Sequence, residues 1–244
     1  MNKKKGETPL QVIEKIKKMN KDFQFLPMTY AGRLDPLAEG ILIVLVGDEV
    51  YRKEEFLNLS KEYEVEILFG FSTDTYDILG KVLKNTNSQK SIFEKSSLDF
   101  VLKDFKGYFE QKYPLYSSRT VSGKPLWQWA REGKIEKIKI PSHKVYVENI
   151  EIIGDKKYLG DELLNIIKNN ISLMKGDFRQ EEILKTWQEK LKNQKNEIFY
   201  SVIIRVRCGS GVYMRSLSND LGEKICIPAL ALNINRTKIG EYML

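Results

Sequence analysis

Histidine is almost absent: His143 is the only one in 244 residues. A zinc site needs several nitrogen or sulfur ligands, so this chain lacks the means for one. A histidine-based triad is possible only if His143 is itself the base. Cysteine is nearly as scarce. Cys208 and Cys226 form neither a Cys-x-x-Cys pair nor a disulfide framework, which fits a reducing compartment. No apolar run is long enough to span a bilayer. The start, Met1-Asn2-Lys3-Lys4-Lys5-Gly6, is charged but has no apolar stretch of the kind that makes a signal peptide. A cytoplasmic protein without a membrane partner is the expectation. There is no Walker loop and no Gly-x-Gly-x-x-Gly. Gly209-Ser210-Gly211 is too short for a dinucleotide fingerprint and reads as a hairpin turn.

What is present is charge. Lys and Arg number 40 against 33 Asp and Glu, a formal net charge of +7. Such a surface suits nucleic acid or an anionic membrane, and it also fits a chain that is simply rich in lysine. The length allows one large domain or two small ones.

One stretch organises the rest: Tyr30-Ala31-Gly32-Arg33-Leu34-Asp35-Pro36-Leu37-Ala38-Glu39-Gly40. Pro36 fixes its own φ and biases Asp35 away from the helical region. The flanking glycines permit turns or a close backbone approach to a ligand. Ile41–Val46 follows as an apolar run, so the pattern predicts an acid on a rigid loop leading into a buried strand. Taken alone, the stretch also fits an ordinary aspartate in a surface turn.

Along the chain, Thr8-Pro9-Leu10-Gln11 predicts a capped helix start, with Val12, Ile13, Ile16 and Met19 as its apolar face. Residues 62–70 alternate, with Tyr63, Val65, Ile67 and Phe69 against Glu62, Glu64 and Glu66, the mark of a half-buried strand. A short strand is expected near Gly80-Lys81-Val82, a loop over residues 84–97 and a helix near Leu98–Phe105. From Gly107 to Gly133, Tyr108, Phe109, Tyr113, Tyr116, Trp127 and Trp129 interleave with Lys106, Lys112, Arg119, Lys124 and Arg131. Aromatic faces stack on bases and cations meet phosphates, so this mixture suits RNA; it equally fits core aromatics beside surface lysines. Val145–Ile153 reads as a strand. Residues 154–197 read as a charged insertion with helices over Asp161–Asn169 and Gln180–Gln194. A long strand over Ile198–Cys208 and a helix carrying Leu217, Leu221 and Ile225 complete the pattern. Strands and helices mix without a βαβα rhythm, which predicts an α+β fold around a mixed, mostly antiparallel sheet flanked by helices and loops.

The Asp35 loop resembles the Gly-x-Leu-Asp-Pro-Leu-Ala-x-Gly motif of the TruB family of tRNA pseudouridine synthases. Lys61-Glu62-Tyr63 is similar to the family's Lys-x-Tyr, and Thr73-Asp74-Thr75-Tyr76-Asp77-Ile78-Leu79-Gly80 to its Thr-Asp-Thr-x-Asp-x-x-Gly turn. Tyr116-Ser117-Ser118-Arg119, Gly123-Lys124-Pro125-Leu126 and Ala130-Arg131-Glu132-Gly133 resemble its RNA-clasping insertion, here residues 106–133. Gly211-Val212-Tyr213-Met214-Arg215-Ser216-Leu217 with Asp220-Leu221-Gly222, and the closing Arg236-Thr237-Lys238-Ile239-Gly240, follow in the family's order. The likeness spans nearly the whole chain except residues 154–197.

This resemblance implies the pseudouridine synthase fold as a single catalytic domain over residues 1–244. It implies isomerisation of the T-loop uridine of tRNA, position 55, to pseudouridine with no cofactor and no metal. Asp35 is the implied catalytic carboxylate, Arg215 its ion-pair partner and Tyr63 the base-stacking tyrosine, whose hydroxyl helps remove the C5 proton. Tyr213 and Ile234 line the uridine pocket, and Tyr30, Arg33, Arg119 and Lys124 meet RNA. The implied partner is the T-arm stem-loop of tRNA, with a monomeric enzyme and no obligate protein partner. Tyr30 stands where the family has a His that wedges the flipped-out RNA, and Tyr51 stands where a Lys is usual. The likeness stops at the end of the catalytic domain, so the C-terminal RNA-binding PUA domain of many members is expected to be absent, and with it some affinity for tRNA. The alternatives are a tRNA-binding folding chaperone and a synthase acting on ribosomal RNA.

Overall fold

A computed structural model describes residues 1–86 and 95–243. The chain opens with strand β1 (Asn2–Lys3) and helix α1 (Pro9–Met19). Thr8 caps α1 as its sequence predicts: its hydroxyl accepts from Gln11 N at 3.2 Å, and Gln11 Oε1 accepts from Thr8 N at 2.7 Å. Next come β2 (Met28–Ala31), β3 (Glu39–Ile41), β4 (Ile43–Val46), helix α2 (Lys53–Asn58) and β5 (Lys61–Phe69). Then follow β6 (Phe71–Thr73), β7 (Val82–Asn85), α3 (Lys95–Leu102), β8 (Gly107–Lys112), β9 (Thr120–Val121), β10 (Lys124–Pro125) and α4 (Leu126–Arg131). The chain continues through β11 (Ser142–Leu159), α5 (Gly160–Ser172), α6 (Gln180–Leu191), β12 (Ile198–Cys208), α7 (Met214–Lys224), β13 (Ala229–Ile239) and β14 (Tyr242–Met243).

The main sheet has the order β1-β3-β13-β5-β12-β11-β8, with β14 added on β13. Only β3 and β13 run parallel among these neighbours; the rest are antiparallel. The expected α+β class and mostly antiparallel sheet are therefore what the chain forms. The alternation along β5 divides the interior. Tyr63, Val65, Ile67 and Phe69 pack with Leu34, Ala38, Val202, Ile204, Val206, Leu217 and Leu221 on one face of the sheet. On the other side Leu68, Phe71, Phe199 and Leu230 meet Leu163, Ile167, Ile183, Trp187 and Leu191 of α5 and α6. Trp187 is fully buried, 5.1 Å from the Phe71 ring, and donates its indole N–H to Ile78 O at 3.3 Å.

Several boundaries differ from the sequence reading. The apolar run Ile41–Val46 is not one strand. It breaks at Leu42, whose N–H goes to Met1 O at 2.8 Å, and its halves pair in different sheets, β3 with β1 and β13, and β4 with β2. Strand β11 runs on through Leu159 rather than ending at Ile153, because residues 154–159 continue the ladder with β12. Gly209-Ser210-Gly211 is no hairpin turn, because no strand follows it. Gln111 takes the place of a pairing strand: its Oε1 accepts from Tyr213 N at 2.8 Å and its Nε2 donates to Tyr213 O at 3.2 Å. The chain then enters α7 directly. The loop expected over residues 84–97 gives up residues 84–85 to β7, and its residues 87–94 lie outside the described residues.

Candidate active site

The loop between β2 and β3 carries Asp35, and glycines in the left-handed region bracket it, Gly32 at φ +80° and Gly40 at φ +110°. Gly40 lies so close to β13 that a Cβ there would sit 2.3 Å from Arg236 O, so only glycine fits without backbone movement. Two buried cations hold the loop by its backbone. Arg236 donates from Nε to Ile41 O at 2.8 Å and from Nη2 to Gly32 O at 3.1 Å. Lys3 donates to the carbonyls of Ala38 and, at 3.2 Å, of Pro36. Burial pushes the Lys3 ammonium down to about 8, with the charge of Asp35 the largest influence opposing it.

Arg215, in the first turn of α7, holds the carboxylate itself. Its Nε donates to Asp35 Oδ2 at 2.7 Å and its Nη2 to Asp35 Oδ1 at 3.0 Å. The remaining fork is filled by the carbonyls of Thr75, at 2.8 Å from Nη1, and Tyr116, at 3.2 Å from Nη2. Asp77 Oδ2 lies 3.8 Å from Nε, so one guanidinium stands between two carboxylates. Burial works against the charge on Arg215, but Asp35 and Asp77 outweigh it and its pKa rises. Asp77 is buried and accepts from Thr75 Oγ1 at 2.5 Å and Leu79 N at 2.9 Å. Desolvation pushes its carboxyl up to about 6, with Arg215 pulling the other way.

A cavity of about 420 Å³ opens beside this pair. Tyr30, Arg33, Asp35 and Arg215 all line it, together with Asp77 and Tyr116. Arg33 ties the loop to the segment before α4, donating to Ser118 Oγ at 2.6 Å and to the Tyr30 hydroxyl at 3.0 Å. Lys53 lies 5.9 Å from the Tyr30 ring centre.

Trp127 and Arg131 of the 106–133 segment line it too, whereas Tyr63, Tyr213, Ile234, Arg119 and Lys124 lie outside that lining. Tyr63 and Ile234 are buried in the core cluster that also contains Leu34, which does line the cavity. Burial raises the pKa of the Tyr63 phenol; Arg236, 6.0 Å from the ring centre, opposes that rise and Asp35 adds to it. Tyr213 is half-buried just before α7, packed edge-on to Tyr113, and burial raises its pKa, with Tyr113 and then Asp35 adding to the rise. Arg119 is exposed over the Tyr113 ring at 5.1 Å. Lys124 pairs with Glu132 at 2.6 Å and lies 3.8 Å from the Trp129 ring centre. Among the described residues no group of three or more His, Cys, Asp or Glu could hold a metal ion. None of the helices among the described residues is long and apolar enough to cross a membrane.

Sequence reasoning missed Asp77, Lys3, Arg236 and the segment Asp177-Phe178-Arg179, which also lines the cavity. Asp77 stood inside a motif already noted, but nothing local marked it as a second carboxylate on Arg215.

The chain is 29% identical over 242 residues to tRNA pseudouridine synthase B of Staphylococcus aureus strain JH9, covering 99% of this chain and 66% of that protein. The protein of the same name from strain Newman matches to the same extent. The chain thus spans just under two thirds of the length of these relatives. Among solved structures, that of a Cbf5-Nop10-Gar1 complex matches with TM-score 0.58 at 18% identity, covering 99% of this chain and 48% of that one. That of an H/ACA RNP bound to a substrate RNA containing 2'-deoxyuridine matches with TM-score 0.55 at 16% identity, covering 99% and 47%. These likenesses establish a shared fold. The model of the TruB family pseudouridylate synthase, N-terminal domain, matches residues 20–166, more than half of the sequence, and the chain belongs to the TruB family.

Proposed function

We propose that this protein converts the T-loop uridine of tRNA, at position 55, to pseudouridine. The observation that carries the reading is the bidentate Asp35–Arg215 pair on the wall of a cavity. Family membership and relatives named tRNA pseudouridine synthase B add support.

The chemistry suits these groups. The N1–C1′ bond of uridine breaks, the base turns, a C5–C1′ bond forms, and the proton lost from C5 is balanced by one gained at N1. No atom enters or leaves overall, so the balance calls for no cofactor. Asp35 either attacks C1′ or removes a proton from the sugar. In both routes the fork of Arg215 fixes the plane of the carboxylate, which a lysine ammonium could not do. Tyr63, with its raised pKa, is an uncharged phenol at neutral pH. Any part it takes in removing the C5 proton therefore requires its own hydroxyl proton to move on. Arg33, with Arg119 and Lys124 of the 106–133 segment, would meet the RNA, and Tyr30 would stack where the uridine leaves its helix.

The test is incubation with an unmodified tRNA transcript, followed by derivatisation of pseudouridine and mapping by mass spectrometry. A single modified T-loop uridine is expected. Asp35→Asn should abolish turnover and keep RNA binding. Pseudouridine at another site, or turnover surviving in Asp35→Asn, overturns the reading.

A further inference from the structure

The helical hairpin α5–α6 ends its connecting segment at the cavity. Arg179 stands at the start of α6 with φ +62°, a left-handed conformation uncommon for any residue but glycine. Such an outlier persists where surrounding contacts hold it, and it often marks a functional place. The contacts here are specific. Arg179 Nη1 donates to Asp74 Oδ2 at 2.6 Å and Nη2 to Asp74 Oδ1 at 3.3 Å. Its guanidinium lies 4.4 Å from the Tyr116 ring centre, and the Tyr116 hydroxyl donates to the same Asp74 Oδ2 at 3.3 Å. Asp74 Oδ1 also accepts from Lys81 N at 2.9 Å, closing the turn that contains Thr75 and Asp77. One residue before Arg179, Phe178 lines the cavity; before that, Asp177 pairs with Arg131 of α4.

These contacts meet at the catalytic pair. Thr75 O and Tyr116 O are the backbone acceptors on Arg215 that Asp35 leaves free. Arg179 pins the side chains on either side of those acceptors, through Asp74 beside Thr75 and through the Tyr116 ring. We propose that Arg179 is a positioning residue, supplied by the α5–α6 hairpin, that holds the Asp74 turn and Tyr116 so that their backbone carbonyls seat Arg215 against Asp35. The inference rests on the synthase reading above. Arg179 acts on the chemical step through Arg215 and makes no claim on the RNA.

The experiment is steady-state kinetics of Arg179→Ala and Arg179→Lys on the tRNA transcript, with thermal melting as the check on folding. Arg179→Ala should lower kcat roughly 10- to 100-fold, the effect of a small misplacement of a catalytic group, with KM and RNA affinity unchanged. Arg179→Lys keeps the charge but loses the planar fork, so its kcat should fall between the two. In an Asp74→Asn background Arg179→Ala should cost far less, because the pair acts as a unit. An unchanged kcat in Arg179→Ala overturns the inference. So does a raised KM with weaker, less salt-dependent RNA binding at unchanged kcat, which marks an RNA contact instead. If Arg179→Ala does not fold, Arg179→Lys decides alone, a kcat equal to wild type being the contrary result. An inactive wild-type enzyme in the same assay counts against the synthase reading rather than against this one.

Discussion

Asp77 gives the sharpest test of how the site is charged. Its carboxyl is buried, and desolvation lifts it from 3.8 to about 6. The folded state therefore holds a proton there through a range in which the unfolded chain has already released it. Folding stability falls as pH rises across that window, and the loss is complete above the folded value. A shift of about two units at ~1.4 kcal/mol each amounts to ~3 kcal/mol. Asp77→Asn keeps an oxygen to accept from Thr75 and Leu79 but never ionises. Near pH 4 the two proteins should be about equally stable. By pH 7 the variant should be the more stable by ~3 kcal/mol, the other carboxylates cancelling in the difference. Urea unfolding at half-unit steps from pH 4 to 8 measures this. Activity should move the other way. With Asp77 neutral, Arg215 has one counter-charge instead of two and can shift from the position in which it holds the Asp35 carboxylate, so kcat should drop roughly 10- to 100-fold. Parallel pH–stability curves for the two proteins would falsify the claim that Asp77 carries a buried charge at neutral pH.

Lys3→Met removes the ammonium under the loop and leaves the Pro36 and Ala38 carbonyls without it. A loss of about 1–3 kcal/mol in urea unfolding is expected, because the buried Ala38 carbonyl loses this donor while Pro36 O keeps its bond from Gly6 N at 2.9 Å, together with a fall in kcat. Gly40→Ala places a Cβ 2.3 Å from Arg236 O at φ +110° and should cost about 2–5 kcal/mol by the same measurement, from strain plus overpacking. Gly47→Ala is its control: φ is +63° but nothing lies within 4 Å, so only the strain of about 1–2 kcal/mol should appear. Equal losses at the two glycines would mean that the close approach of β13 does not hold the loop.

Elements whose pattern matches their surroundings were legible from the sequence. The alternation of residues 62–70 gave β5 to within a residue at each end, and the apolar pattern of 198–208 gave β12 with its bounds intact. Thr8 and Gln11 marked the start of α1 because capping is settled within one turn. The failures come where a remote partner decides. Leu42 looks like the middle of a strand, yet Met1 takes its N–H and the strand changes sheets there. Val212 and Tyr213 look extended, and the bonds that would make Tyr213 a strand residue go to the Gln111 side chain from more than a hundred residues away. No window on the sequence contains both ends of such a bond.

The same division runs through the site. Asp35 and Arg215 were singled out because each sits in a motif, and the fold pairs them although 180 residues separate them. Lys3 was not, because Lys3, Lys4 and Lys5 are chemically equal in the sequence. Pairing of β1 with β3 makes them unequal: a strand points successive side chains to opposite faces, so Lys3 is buried under the loop while Lys4 is exposed. The α5–α6 hairpin is the larger case. Its charged residues suggested an insertion, and its apolar spacing predicted helices without saying what they cover. They cover the far side of the sheet, where Trp187, Ile183 and Leu163 are fully buried against Phe71, Phe199 and Leu68. A segment anchored that deeply can hold its connecting turn still, and Arg179 at the end of that turn reaches Asp74 and Tyr116 at the cavity. Burial of α5 and α6 is thus what would let a part of the chain outside the family's motifs act on the geometry of Asp35.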